Sequence, residues 1–593
     1  MLDLLGDHFM DASVEQLKNG AIFRGTGDNW DMNVKKHHMR QEVQNDDLHL
    51  FASNLIKNRI DFKDLPNDKP LGKISNLRVS QLVPNKEEWE HFSASCQILI
   101  ARVLIEHFPA LKPFANVYPT HIQHEFSEFT KKKSEIVTMP IIDADESKYQ
   151  DCVKILRTYE KWIWQLHRKA GIVTEEMPDI DSSDFPPDQH ADPGQPFGQI
   201  IFSDDDPMKS NKIVFAGDQL TRVRFSGAKD LLQGAHTPTD RFEHCSPFKP
   251  VMWHTKASLL QYIYNLLFAA ESINEKGTLK YFREKLNRKN ATPNEVVDNY
   301  EGSEELFLSM GKAYIVVAAM EMFGMSKLEE SPIDLPDDLS SLSKQEKFCY
   351  FDSKMKAFVK RFVLQSEFDN TTSDDGVQNY ALITIFLTCL LLQMKDVAAE
   401  GDGHRNLINQ KILLVVFKAL NEKSKYAHEM FVSIAQIECT LTERLSAEYK
   451  WGFFFNWRGG EGNNIEDDLG QEICNGMSKK IVKRIGANKS ISTISRVCKA
   501  TNGIRDILTQ FDNEILLDSG SSHHTKRQST SDEITMIDDI FNFAPFTNSG
   551  PRCYEHFSEI KRAPQRYLSV TEFAKWVELR KKEWSVTEVF NEE

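Results

Sequence analysis

Two strings in the chain join a short apolar run to a Gly-Asp step and an amide: Ala21 to Arg24 followed by Gly25-Thr26-Gly27-Asp28-Asn29, and Ile213 to Ala216 followed by Gly217-Asp218-Gln219. Short apolar runs bounded by glycine predict buried strands, so each aspartate is expected at a strand end. Carboxylates at the ends of neighbouring parallel strands can share a divalent cation, because hard oxygen donors on a rigid sheet suit Mg²⁺ or Mn²⁺. A third acid would complete a two-ion phosphoryl-transfer site. The best source is the segment after Gly459-Gly460-Glu461-Gly462, where Asp468 and Glu472 stand four apart, on one face of a predicted helix with Asn475 close by. Glu304 and Glu305, which open another predicted helix, are further candidates. The same acids have a plainer reading. Asp28 and Asp218 suit turns, and Asp467 or Asp468 suits a helix N-terminus; Glu472, past the first turn, is explained least well by capping.

Other chemistry-bearing groups are less complete. His121 and His124, His37-His38, and the set His244, Cys245 and His254 lack the remaining ligands at zinc-finger or zincin spacing. They read as core or surface side chains. His254 stands apart because it opens the helix that follows the Asp218 unit. The Gly-rich loop has no following Lys-Ser/Thr, and Glu461, Glu466, Asp467 and Asp468 would repel a phosphate, so it is not a P-loop. Lys131 to Lys133, the Lys479-Lys480 and Lys483-Arg484 cluster, and Arg580 to Lys582 are short basic runs that read as solvated faces.

Positioning these residues requires a scaffold, and the periodicity outlines one. Helical spacing is read at 46–60, opened by Asp46-Asp47, at 87–107, at 148–169 and from about Asp467 to Ile485. From Ser258 to about Ser446 helical periods dominate. The most apolar run, Val377 to Met394, is long enough to raise the membrane question, but Gln378, Asn379, Thr384, Thr388 and Gln393 break it; it reads as a buried core helix.

Composition sets the outer limits. The chain has 593 residues, 40% hydrophobic and 27% charged, with a net charge of −15. That describes a soluble globular protein with a large core, and the acid excess opposes a uniformly basic nucleic-acid surface. Nine isolated cysteines, with no C-x-x-C pair, argue against a disulfide framework or zinc ribbon. The N-terminus shows no signal peptide, so a nuclear or cytoplasmic location is expected.

Gly27-Asp28-Asn29-Trp30-Asp31 through His38-Met39-Arg40, Phe215 through Gly217-Asp218-Gln219-Leu220-Thr221, Trp253-His254-Thr255-Lys256, and Asn456 through Gly462-Asn463-Asn464-Ile465 to Asp468-Leu469 and Glu472 together resemble the domain of unknown function 6589 family of metazoans and fungi. The resemblance covers about residues 20–515. It implies a transposon-related protein of α/β class, mainly α, with a ribonuclease-H-like core interrupted by a large helical insertion. It further implies Asp28, Asp218 and Glu472 as catalytic metal ligands, with Asp31 and Asp468 as near substitutes, and DNA as the partner. The expected activity is Mg²⁺- or Mn²⁺-dependent cleavage or strand transfer at a phosphodiester, active or lost in a domesticated protein. The competing expectation is a non-enzymatic helical interaction or scaffold protein.

The organisation expected on this basis starts with a first core part, 1–174, an acidic proline-rich loop, 175–210, and a second core part, 211–257. The helical insertion, 258–446, is followed by the Gly-rich loop and core helices, 447–518, a disordered linker, 519–533, and a helical tail, 534–593.

Overall fold

The computed structural model describes residues 9–35, 40, 44–177, 205–336, 338–365, 375–485, 489–515, 529–547 and 550–592. His37-His38, the greater part of the acidic loop and residues 519–528 of the expected linker lie outside the described residues.

A five-stranded mixed sheet organises the chain around the first Gly-Asp string. Strands β1 (Phe23–Val34) and β2 (Asp46–Lys57) form a long antiparallel pair, with Phe23 opposite Lys57 and Val34 opposite Asp46. Two expectations are corrected here. The first strand does not end at Arg24, and 46–60 is not a helix. Gly25 and Gly27 are in the strand because of packing: a Cβ on Gly25 would stand 2.1 Å from the Phe215 ring, and one on Gly27 2.6 Å from Phe51. In β2, Leu50 to Ile56 are all buried, so the run lacks the alternation of a half-exposed strand. Its helix-like apolar spacing was a by-product of burial on both faces.

Strands β3 (Ile136–Thr138), β4 (Val214–Ala216) and β5 (Phe248–Lys249) complete the order β3-β2-β1-β4-β5. β2 runs antiparallel to both neighbours, whereas β4 is parallel to β1, and β5 to β4. The second apolar run is thus a strand, as its composition predicts, while β3 and β5 are too short to carry a pattern.

Among the longer helices are α1 (Lys86–His107), α2 (Tyr149–Lys169), α3 (Gln219–Leu231), α4 (Met252–Leu267), α5 (Tyr300–Phe323), α6 (Gly376–Glu400), α7 (Gly403–Leu420), α8 (Lys425–Ala435), α9 (Asp467–Arg484), α10 (Ile491–Glu514) and α11 (Val570–Glu592). Helix α2 covers the glycine-bearing face of the sheet, where Tyr159 stacks on Phe215 with ring centroids 4.3 Å apart. The opposite face of the β1–β2 pair is covered by α9 and α10, and the Trp30 indole N–H donates to Ser478 Oγ at 2.7 Å. Trp30 alternates with the glycines along β1, which sorts the two faces.

Between β5 and the small β6–β7 hairpin (Phe454–Asn456 and Asn464–Glu466) the chain is helical, and it shares one large hydrophobic core with α1. Among the described residues two helices, α5 and α6, are long and apolar enough to cross a bilayer, and they have 83% and 89% of their apolar windows buried inside this core. Thr384 and Thr388 fit that interior because each hydroxyl donates to the carbonyl four residues earlier at 2.7 Å. The chain is mainly helical around a mixed sheet, and all nine cysteines are free thiols.

Candidate functional site: an acidic cluster over the parallel strands

Asp28 lies on β1 and Asp218 immediately follows β4, the neighbouring parallel strand. Asp218 is the N-cap of α3, its Oδ1 accepting from the Thr221 N–H at 2.7 Å. The capping role anticipated for Asp218 is therefore real, and it occupies one carboxylate oxygen.

The third segment arrives through the Gly-rich loop, which is the turn of the β6–β7 hairpin. Gly459 and Gly460 take φ of +81° and +90°, and Asn456 binds both, accepting from the Gly459 N–H at 2.7 Å and donating to the Gly460 carbonyl at 2.8 Å. The hairpin leads directly into α9. There Asp467 is buried between Arg24 of β1, at 3.0 Å, and Lys249 of β5, at 3.1 Å. Burial works against its charge, but Arg24 and Lys249 overcome that and hold its carboxyl below the usual range. Beside it, Glu466 pairs with Lys256 of α4 at 2.7 Å. These pairs pin the start of α9 to the sheet and to α4.

Asp468 does not cap its own helix. It accepts from the backbone N–H groups of Trp253 and His254 at 3.2 and 3.0 Å, and from His254 Nδ1 at 2.9 Å, so it caps α4 instead. Two turns along α9, Asn475 reaches Asp28: its Nδ2 stands 3.3 Å from Asp28 Oδ2 and 3.2 Å from the Asn29 carbonyl. A chain of amides orients it, Asn54 to Gln471 at 2.7 Å and Gln471 to Asn475 at 3.0 Å. Glu472 is exposed and makes no hydrogen bond or ion pair among the described residues.

One member of the cluster has no counterpart in the sequence reading. Glu146, fully buried just before α2, accepts from Asn29 Nδ2 at 2.6 Å and from the Thr221 hydroxyl. It joins the two Gly-Asp units through the residue after Asp28 and the third residue after Asp218. The available signal was the acid run Asp143-Ala144-Asp145-Glu146 in front of an amphipathic helix, which reads as an ordinary helix start.

The electrostatics record how near these acids stand. Burial, then the charges of Glu472, Glu146 and Asp218, raise the Asp28 carboxyl from 3.8 to about 8. Glu146 is raised to about 7, by burial first and by Asp218 and Asp31, against the hydrogen bond from Thr221 and the charge of Arg224. For His254, burial favours the neutral ring, but the bond to Asp468 and the charges of Asp468, Asp218 and Asp28 raise it to about 9, so it is a cation at neutral pH. With Nδ1 held by Asp468, its Nε2 has no hydrogen-bond partner among the described residues.

The remaining candidates fall elsewhere. Asp31, itself exposed on β1, stands 2.9 Å from His49 and reaches the cluster only through its charge on Glu146. Glu304 sits on α5, where Tyr300 and Lys395 engage it, and Glu305 pairs with Arg288 at 3.0 Å. His121 and His124 bind the side chain and carbonyl of Glu400, while His244 is clamped between Glu160 and Asp206 at 2.5 and 2.7 Å, away from His254. Among the described residues no group of three or more His, Cys, Asp or Glu is drawn tightly enough to hold a metal ion. Asp28, Glu146, Asp218 and Glu472 meet at electrostatic range, short of coordination range.

Against known proteins, the family model described as Family of unknown function (DUF6589) matches residues 72–524. No curated protein and no solved structure matches the chain.

Proposed function

This chain belongs to the DUF6589 family of unknown function, and we propose that it is a transposase-derived protein whose acidic cluster supports divalent-metal-dependent cleavage or strand transfer at DNA phosphodiesters. The observation that carries this reading is the behaviour of Asp28: carboxylates delivered by three separate segments converge on it and raise it to about 8. Clustered like charges are costly for a fold and recur where a cation or a proton is to be handled. The sheet order β3-β2-β1-β4-β5, with β2 alone reversed among the three central strands, supports a ribonuclease-H-like core, and the helical stretch between β5 and β6 corresponds to its interruption.

The donor set suits Mg²⁺ or Mn²⁺. Asp28, Asp218 and Glu472, with Glu146 beside them, are hard oxygen donors, and the unpartnered Glu472 is free to turn inward. When bound, the ion supplies Lewis-acid stabilisation of the phosphoryl charge and a lower pKa for water. The chain's own groups do the rest. Asn475 and Glu146, through Asn29, set the position of Asp28 on β1. The His254 cation, held by Asp468, offers an Nε2–H to a phosphate oxygen or a leaving oxygen. Asp467 and Glu466 fix the helix that carries Glu472.

The test uses the purified chain with plasmid DNA and Mg²⁺ or Mn²⁺. Cleavage or strand transfer is expected, and Asp218→Asn abolishes it; full activity in that variant refutes the site. A second reading, a non-enzymatic helical interaction or scaffold protein, is favoured by the capping use of both Asp218 and Asp468. DNA binding without metal-dependent turnover supports it. A DNA substrate also favours the nucleus over the cytoplasm.

A further inference from the structure

From Ile473 to Arg505 the sequence holds eight lysines and arginines and no aspartate or glutamate. In a chain of net charge −15 that is a local reversal of sign. The stretch forms most of α9 and more than half of α10, the two helices that pack together over the face of the β1–β2 pair opposite α2. The Lys479-Lys480 and Lys483-Arg484 runs, which read from the sequence as solvated, therefore belong to one larger surface.

Helix α9 sorts its residues cleanly. Gln471, Cys474, Asn475, Ser478 and Val482 are buried, while Glu472, Ile473, Lys480, Lys483 and Arg484 are exposed on the other side. The exposed row starts at the acidic cluster: from the helical rise, its cations stand about 10–18 Å along the axis from Glu472. Lys480, Lys483 and Arg484 make no hydrogen bond or ion pair among the described residues, and Lys479 only lies over the Trp30 ring, at 5.8 Å. Cations deeper in the fold, such as Lys249, Lys256 and Arg405, are each paired with a carboxylate. The helix dipole accounts for Lys483 and Arg484 in the last turn of α9, but Lys479 and Lys480 lie before it.

Gly476 stands on the same side, between Glu472 and Lys480, with ordinary helical backbone and open space where a Cβ would be. Packing explains Gly470 of the same helix, because a Cβ there would meet the Phe455 ring at 1.9 Å; no neighbour in the chain explains Gly476. A glycine inside a helix weakens it relative to alanine, and it serves where a bound molecule comes close to the backbone. Unpaired cations spread along a helix face suit a polymer of repeated charges, whereas a small anion needs donors that converge on one point. Duplex DNA carries one phosphate per strand every ~3.4 Å of axis, so the row from Lys479 to Arg484 meets about two or three of them.

We propose that the exposed face of α9, from Gly476 to Arg484, is a docking track for the DNA phosphate backbone, holding the strand that flanks a phosphodiester placed at the acidic cluster. The identity of the polymer and the placement of its phosphodiester rest on the proposed function; the track rests on the cations and on Gly476.

Fluorescence anisotropy of the full chain with a short labelled duplex DNA in EDTA tests it, under conditions where no metal-dependent cleavage takes place. Lys480→Gln combined with Lys483→Gln and Arg484→Gln should weaken binding at least tenfold and lower the log–log salt slope by about three, about one for each cation removed. Gly476→Gln should raise the urea midpoint, because glutamine is the better helix former, and yet weaken DNA at least fivefold. A charge-matched control, Lys344→Gln with Lys347→Gln and Lys356→Gln on the helix Lys344–Phe358, should hold the affinity within about twofold of the wild type. Absence of DNA binding at low salt overturns the proposal. So does equal weakening in the control, unchanged affinity in the α9 variants, or binding of polyglutamate as tight as that of DNA. Binding that depends on α9 without any cleavage in Mg²⁺ or Mn²⁺ upholds the track and refutes the enzymatic reading.

Discussion

Thr26 of β1 is directly paired with Ala216 of β4 across a parallel ladder, and Asp28 and Asp218 each stand two residues further along. That one register relationship places side by side two aspartates from distant parts of the chain. Parallel neighbours separated in sequence can meet only through long crossover connections, here built around α2.

Because Asp218 is both a cap and a member of the cluster, two substitutions separate the roles. Asn caps as well as Asp does, so Asp218→Asn should unfold within about 0.5 kcal/mol of the wild type yet lose all metal-dependent activity. Asp218→Ala should lose the activity and, in addition, about 1 kcal/mol of stability in urea titration. Equal stability losses in both variants would show that the carboxylate matters to folding through something other than the cap.

Asp28 predicts an unusual pH dependence of folding. Its folded-state value, about 8, lies above 3.8, so the native state binds more protons between those values. The stability it contributes is complete below about pH 4 and is lost as pH rises through 8, at up to about 1.4 kcal/mol per pH unit. Glu146, raised to about 7, adds in the same direction. In EDTA the urea midpoint should therefore fall from pH 5 to pH 8, and Asp28→Asn should flatten that fall. Millimolar Mg²⁺ or Mn²⁺ should raise the wild-type midpoint at pH 8 and leave that of Asp28→Asn in place. An identical slope in wild type and Asp28→Asn sinks the assignment.

Asp467 is predicted to be structural. Removing its carboxylate leaves Arg24 and Lys249 buried beside each other without the group that pairs with both. Asp467→Ala should cost about 3–5 kcal/mol, read by thermal or urea unfolding. A loss below 1 kcal/mol would mean that α9 is not pinned by this pair.

His254 sets an expected alkaline limit. If the imidazolium donates a proton or a hydrogen bond, the rate of DNA cleavage falls as pH rises through about 9. His254→Gln should lower the rate and remove that limb of the profile. Retention of the limb in the variant assigns it to another group.

Much of the scaffold is legible from local pattern. The apolar run ending at Ala216 and the helices at 87–107, 148–169 and 467–485 are legible in the order of their apolar residues, and so is the long helical stretch after Ser258, whose central helices are buried nearly all round. The β1–β2 pair is not legible that way. Gly25 and Gly27 look like a turn until Phe215 and Phe51 are seen pressed against them, and β2 loses its alternation because both faces are covered. Glu146 was hidden for a related reason: an acid before a helix is commonplace, and its link to Asn29 and Thr221 exists only across the fold.

The sequence by itself determined which residues can bear negative charge next to a strand or on one helix face, and it named Asp28, Asp218, Asp468 and Glu472 on those grounds. Only the tertiary structure decided which of them share a site. The parallel register brings Asp28 beside Asp218, and the Asp467 ion pairs anchor α9 so that Asn475 contacts Asp28 and Glu472 comes within range of its charge, while Asp468 binds α4 and His254. The physical reason is range. Periodicity and capping are local and can be read along the chain, whereas the repulsion that raises Asp28 to about 8 depends on charges that only folding brings near.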